Sequence, residues 1–247
     1  MNNVTVITSG TAGIGKAIAK KIISTADFEN GDRIIINYGH DDDAALHFLS
    51  EFPNDIQKSI SLIKADLSQY KGMEFFANNI RSLTDHIDWL VYNTGIGSYL
   101  PFEEYTYDIW DTILRTNLSI PAFFIKEIKP LMASNGNIVF MGSHAGQVPY
   151  SRSIVYSVSK AGVMFLAKSL VKVFDQQQVS VNAIAPGFIE TRWQEGRSEE
   201  SYQRVNNKIA AHRFGTPEEV AELCYAILNN DYINGSIYDI HGGYDYF

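Results

Sequence analysis

Tyr156-Ser157-Val158-Ser159-Lys160 sets a phenol and an ammonium four residues apart, and a helix stacks such a pair on one face. A free phenol, with a pKa of about 10, is a poor acid or base at neutral pH. A neighbouring cation stabilises the phenolate and makes its proton transferable. Lys160 would be that cation. Ser143, thirteen residues before Tyr156 and just after the apolar run Ile138 to Met141, can donate to the same substrate oxygen, so that two hydroxyls make an oxyanion site. Alone, a Tyr-x-x-x-Lys match is common and reads as an exposed helical pair, so its meaning depends on the chain around it. The six histidines include no His-x-x-x-His or His-Glu pairing, and no metal is expected. His144, directly after Ser143, reads as a pocket residue that could touch substrate.

The elements that must position these groups are legible as short β-branched runs between longer helical segments: Val4 to Ile7, Ile34 to Ile36, Ser61 to Ile63, Trp89 to Tyr92, Ile138 to Met141, Val179 to Ile184 and Ile237 to Ile240. Most lack the polar alternation of a half-exposed strand, and each is far enough from the next for a crossover helix. The pattern predicts an α/β fold: one doubly wound domain over residues 1–247, with about seven parallel strands and helices on both faces. Ile14, Ile18 and Ile22 fall on one stripe of a helix after the first strand. Two later segments, from Asp108 to Met132 and from Tyr156 to Phe174, are apolar on more than one face and predict a second burial partner.

Val4-Thr5-Val6-Ile7-Thr8-Ser9-Gly10-Thr11-Ala12-Gly13-Ile14-Gly15-Lys16 runs from strand through a glycine-rich turn into that helix. Glycines let the backbone approach an anion closely, and the free amides of the helix start hold it, so this is where a pyrophosphate would bind.

With both ends in view, the chain resembles the short-chain dehydrogenase/reductase family, whose turn reads Thr-Gly-x-x-x-Gly-x-Gly. Gly13 and Gly15 match; Ser9 stands in the first glycine's place, with Gly10 beside it. The resemblance implies a Rossmann-type fold and cofactor contacts from Ser9, Gly10, Thr11, Gly13, Ile14 and Gly15. Asp66 and Leu67, in Ala65-Asp66-Leu67, resemble the adenine contact, and Asn93-Thr94-Gly95 resembles the second half of an Asn-Asn-Ala-Gly motif in which Tyr92 replaces the first asparagine. Pro186, Gly187, Ile189 and Thr191 fall in the segment that contacts the nicotinamide carboxamide. The match continues through Arg213-Phe214-Gly215-Thr216-Pro217-Glu218-Glu219-Val220 to Gly242-Gly243. It implies that Tyr156 and Ser143 polarise a carbonyl while the nicotinamide delivers hydride, with alcohol oxidation the reverse, that Tyr156 and Lys160 also touch the cofactor, and that Asn117 holds a water linking the lysine to a proton relay.

Aligned through Ile34-Ile35-Ile36-Asn37-Tyr38-Gly39, the ribose-binding position is the uncharged Tyr38 rather than an acid. Asn37 and Tyr38 are therefore expected at the ribose, and NADP is favoured over NAD. Asp41, Asp42 and Asp43 would oppose a 2′-phosphate unless they point to solvent, and His40 is the one cation expected nearby.

Within the family the chain is most similar to the 3-oxoacyl-carrier-protein reductase type, which docks an acidic carrier through basic residues. The corresponding stretches here, Met132 to Asn137 and Phe174 to Gln178, lack cations, although Lys129, Lys168 and Lys172 are near. A small-molecule ketone or alcohol is therefore favoured over a carrier-bound chain. The segment 190–212 is expected to be a mobile, solvated substrate lid, with Arg192 and Trp193 as substrate contacts. A cofactor-binding sensor without turnover is the rival reading, and such modules usually lose the tyrosine or the lysine, both of which are present here.

The composition sets the outer limits. With 20 Lys+Arg against 28 Asp+Glu, the net charge of −8 opposes broad attraction to nucleic acid or anionic lipid. No segment is expected to reach the length of a membrane span, and the reading is a soluble, cytoplasmic protein. Cys224, the one cysteine, excludes an intramolecular disulfide and sits on what reads as a plain helix face. The apolar helices and the aromatic tail Tyr244-Asp245-Tyr246-Phe247 predict a homo-oligomer, a tetramer or dimer.

Overall fold

The computed structural model describes residues 2–149 and 153–246. Seven strands, β1 (Val4–Ile7), β2 (Arg33–Tyr38), β3 (Ile60–Lys64), β4 (Ile87–Tyr92), β5 (Met132–Met141), β6 (Ser180–Pro186) and β7 (Ile237–Ile240), form one parallel sheet in the order β3-β2-β1-β4-β5-β6-β7. Their runs are apolar on both faces because helices cover both. One layer holds α1 (Gly13–Ile23) and α9 (Pro217–Leu228), which pack on each other and on Ile7, Ile36, Val91 and Ile184. The opposite layer holds α4 (Tyr70–Leu83), α6 (Ile120–Ile128) and α7 (Ile154–Leu170), around Phe76, Phe124 and Phe140. The strand order reverses between β1 and β4, and a crevice opens at the carboxyl ends there, where ligands of such sheets bind.

The chain between β1 and α4 is completed by α2 (Asp42–Ser50), capped by Asp41, and the short α3 (Asn54–Gln57). The helix expected from Asp108 to Met132 is broken. It divides into α5 (Tyr107–Leu114), a π-helical turn (Arg115–Ser119) and α6. Pro121 explains the break: it has no N–H for the carbonyl of Asn117, so a regular helical bond is lost there and the wider turn takes its place. Met132, expected at a helix end, begins β5, whose register against β4 shifts between Ile87 and Trp89.

One expectation about length is corrected. The 20-residue helix Ile154–Val173 is long and apolar enough to cross a membrane by length and composition. Here Val155, Val163, Met164 and Ala167 are buried against the sheet, while Val158 and Phe165 face outward.

Residues 190–212 hold a 3-10 turn (Arg192–Gln194) and α8 (Glu199–Asn206). This segment is not solvated throughout. Val205, Ile209 and Phe214 form a small apolar cluster of their own with Phe188, Tyr202 and Tyr244, and the Arg197 guanidinium lies 5.3 Å from the Phe188 ring centroid.

Candidate active site

The glycine-rich turn ends β1 and enters α1 without a side-chain cap: Ala12 occupies the cap position, and no acidic residue lies in the first helical turn. The leading amides and the positive helix end are therefore open to an anion, and the turn fits a dinucleotide pyrophosphate. Ser9, standing where the family has glycine, has a left-handed backbone (φ 51°). Its hydroxyl is 2.7 Å from that of Thr94, and its amide donates to Asn37 Oδ1 at 3.3 Å. A Cβ on Gly15 would lie 2.1 Å from the Ser9 carbonyl, so that contact admits only glycine. Thr8 ties the turn to β4 by accepting from the amides of Asn93 and Thr94 at 2.9 and 3.0 Å.

Of the expected cofactor contacts, Ser9, Gly13, Ile14, Asn93, Gly95, Tyr156, Lys160, Pro186, Gly187, Ile189 and Thr191 line one cleft of about 370 Å³. Gly10 and Gly15 lie behind it as packing contacts, with a Cβ on Gly10 meeting Ile36 at 2.7 Å. Thr11 is buried beside the turn. Asn37 is buried, and its amide donates to Ala65 O at 2.9 Å, so it braces the turn against β3 rather than facing the cleft. Leu67 is a core residue packed among Met73 and Phe76.

At the ribose end, Tyr38 and Asp66 lie at the carboxyl ends of β2 and β3. Burial acts to raise the Asp66 pKa, but the Ser68 amide and hydroxyl, with the charge of His40, hold it below the usual value. His40 is exposed, and it is not alone. Parallel pairing sets Lys64 beside Tyr38, where its ammonium is 2.6 Å from Asp42, and Arg192 reaches Asp41 at 3.4 Å. The expectation of a lone histidine fails because both cations arrive from distant sequence. All three aspartates are exposed, and Asp41 also caps α2 by accepting from the Ala44 amide.

At the other end, Lys160 is buried on α7, donates to the Met141 carbonyl at 2.7 Å, and is pulled down by burial to a pKa of about 8. Its Nζ lies 5.8 Å from the Tyr156 ring centroid, and Tyr156 and Ser143 border the same cleft. Asn117, in the π-helical turn, is held at three points: its Nδ2 donates to Ile96 O at 2.8 Å and Ser159 Oγ at 2.9 Å, and its Oδ1 accepts from the Ile96 amide. A Cβ on Gly95 would fall 3.0 Å from Lys160 Nζ and 3.5 Å from Asn117 Oδ1, so both side chains reach the same glycine. Tyr92, at the departed asparagine position, instead fills the core against Phe124 and Phe140.

Trp193 lies over Tyr156 with ring centroids 5.5 Å apart, and Arg192 and His144 also line the cleft. Gln194, Arg197 and Tyr244, from the expected lid and the aromatic tail, also line it, and sequence reasoning missed Tyr99 and Val148 on its wall. These come from loops with no local motif. It also missed that His144 meets His241 and Asp239 in space, since their places in the sequence lie far apart.

A parallel α/β sheet whose glycine-rich turn opens onto a cleft shared with Tyr156, Lys160 and Ser143 fits the class of dinucleotide-dependent oxidoreductases. The comparisons agree: the family described as "short chain dehydrogenase" matches residues 3–201, and the chain belongs to it. It is an NAD(P)-dependent enzyme of carbonyl and alcohol chemistry. The 3-oxoacyl-[acyl-carrier-protein] reductase of Aquifex aeolicus is 32% identical, covering 97% of this chain and 96% of that protein. Glucose 1-dehydrogenase 2 of Bacillus subtilis is 28% identical over 96% and 93%. Among solved structures, an NADP active-site complex of RhlG from Pseudomonas aeruginosa superposes with a TM-score of 0.85 at 25% identity, covering 98% of this chain and 96% of that one.

Proposed function

We propose that the chain is an NADPH-dependent ketoreductase acting on a small-molecule carbonyl compound, with Tyr156, Ser143, Lys160 and Asn117 as its working group. The observation that carries this is the buried Lys160 beside Tyr156 on the wall of the cleft that begins at the phosphate-binding turn. The bound nicotinamide supplies or accepts hydride. Tyr156 gives its phenolic proton to the carbonyl oxygen, Ser143 donates a second hydrogen bond to that oxygen, and the Lys160 ammonium stabilises the phenolate left behind. The Asn117 side chain, held between Ile96 and Ser159, would hold the water that links Lys160 to a proton relay.

NADPH over NADH is supported by the uncharged Tyr38, by the pairing of Asp41 and Asp42 with Arg192 and Lys64, and by the NADP named in the complex of the similar RhlG. Asp41 and Asp42 thereby lose much of their power to repel a 2′-phosphate. Residues 190–212 act as the substrate lid, with Trp193 over the reacting tyrosine and Arg192 near the cleft mouth. Exposed Phe123 and Phe165 on the apolar helices support self-association into a dimer or tetramer. The tail residue Phe247, part of the same expectation, lies outside the described residues.

The test is NADPH oxidation with a panel of small ketones, repeated with Tyr156→Phe. Loss of about 10²–10⁴-fold in turnover is expected for a removed acid–base group, and an undiminished rate sinks the assignment. The similarity to the Aquifex aeolicus reductase supports a second reading, a carrier-bound substrate. That reading predicts far better turnover of a carrier-bound ketone than of its short thioester analogue.

A further inference from the structure

One side-chain cluster reaches from the cleft wall to the end of β7 and holds none of the residues of the Tyr156 group. His144, after β5, is 5% exposed, and its ring centroid lies 4.4 Å from that of His241, just after β7. Asp239 lies in β7, two residues before His241. With one ligating atom from each, His144, Asp239 and His241 converge so that all three atoms lie within 4.8 Å of one another. Among the described residues this is the one such group of histidine, cysteine and carboxylate side chains. A fourth group closes over it from the turn Tyr244–Tyr246: Asp245 Oδ1 is 2.7 Å from His144 Nε2, and Oδ2 is 3.9 Å from His241 Nε2.

We propose that His144, His241 and Asp239 bind a divalent transition metal of the zinc class, with Asp245 as the outer carboxylate that orients His144. Two imidazoles and a carboxylate are the donors such ions favour, whereas calcium and magnesium prefer oxygen alone. A carboxylate accepting from one ring nitrogen of a histidine leaves the other nitrogen with its lone pair for the metal, which is the usual arrangement behind metal-bound imidazoles. The two carboxylates together balance the charge of the ion. Two existing contacts compete with it and would be exchanged: Gln147 Oε1 at 3.3 Å from His144 Nδ1, and the Tyr244 amide at 3.1 Å from His241 Nδ1.

The position gives the ion something to do. His144 follows Ser143 directly, and Tyr244 borders the cleft, so a metal here ties β7 and the chain end to the loop that carries the oxyanion donor. Because sequence spacing separates its ligands, the site forms only once β5 and β7 stand in the finished sheet.

The full chain, treated with chelator and then freed of it, is dialysed against Zn²⁺ and its bound metal counted by mass spectrometry, and the same protein is titrated with Co²⁺ and its visible spectrum recorded. One zinc per chain is expected, together with the intense low-coordinate cobalt spectrum. His241→Gln should abolish both, and Asp245→Asn should weaken zinc by about 10–100-fold. Asp239→Asn changes an exposed side chain and so keeps the test valid if the histidine variant misfolds; it too should lose the stoichiometric metal. The proposal is overturned by the absence of stoichiometric zinc, by a cobalt spectrum of the hydrated ion, or by binding that Asp239→Asn and His241→Gln leave unchanged.

Discussion

Replacing Lys160 with methionine separates what the lysine costs the fold from what it supplies to the site. The side chain is 4% exposed, and burial draws its pKa from 10.5 to about 8. At about 1.36 kcal/mol per pKa unit, that gap is an energetic cost of about 3 kcal/mol for carrying the charged form. The sign follows from proton counting. Between about pH 8 and pH 10.5 the unfolded chain holds a proton that the folded chain has released, so stability rises with pH across that window, and the full cost is present below it. About 1 kcal/mol should be recovered by roughly pH 9. A methionine carries no such cost, but the Lys160→Met variant leaves the Met141 carbonyl without its 2.7 Å partner, a loss of about 1–3 kcal/mol. The net stability change at neutral pH is therefore small, and the informative quantity is its pH dependence. Thermal unfolding of both proteins at about pH 7 and pH 9 should show the wild type gaining roughly 2–4 °C on the variant, as about 1 kcal/mol does in a chain of this size. Turnover by the variant should be lost at both. A melting-point difference that stays constant with pH would refute the claim that the ammonium is held against its own desolvation.

Two further outcomes test the scaffold around the site. Ser9→Ala keeps the left-handed backbone and loses the bond to Thr94, whereas Ser9→Gly relieves the backbone while losing the same bond; the glycine variant should be the more stable by about 1 kcal/mol in urea unfolding, and equal stability would remove the strain argument. The Tyr92 hydroxyl is buried with no hydrogen-bond partner among the described residues, and burial pushes its pKa up. Tyr92→Phe should thus raise stability by about 1 kcal/mol, and a fall in the melting point would show that the hydroxyl has a partner after all.

What was legible in the sequence was whatever depends on short range. Seven apolar runs became seven strands, since a doubly covered sheet demands them, and the Tyr156 to Lys160 spacing placed two groups on one helix that do border one cleft. Asn37 misled for a physical reason. The residue's place at the end of β2 suggests ribose contact, but strand alternation turns its side chain inward to brace Ser9 and Ala65. The π-helical turn at Asn117 was hidden because its cause, Pro121, lies inside an otherwise helical apolar pattern. The pairings of Lys64, Arg192 and the two histidines were hidden for the opposite reason, since strand order and the 190–212 segment alone bring these residues to their partners.

The pairings at Asp41 and Asp42 also resolve a tension in the charge balance. A chain of net charge −8 that binds a polyanionic cofactor cannot depend on its overall field. It needs local donors that stay open and local acids that are already engaged. The first condition is met by α1, whose start has neither a capping side chain nor an acidic residue. The second is met by Lys64 and Arg192, which engage the two aspartates nearest the ribose end while the third faces solvent. Arg192 does this from the segment that also sets Trp193 over Tyr156, so one stretch of chain touches both ends of the cleft. Exposed ion pairs contribute little to stability. The value of this one lies in position: it ties the segment that carries Trp193 to Asp41, beside the ribose end of the cleft.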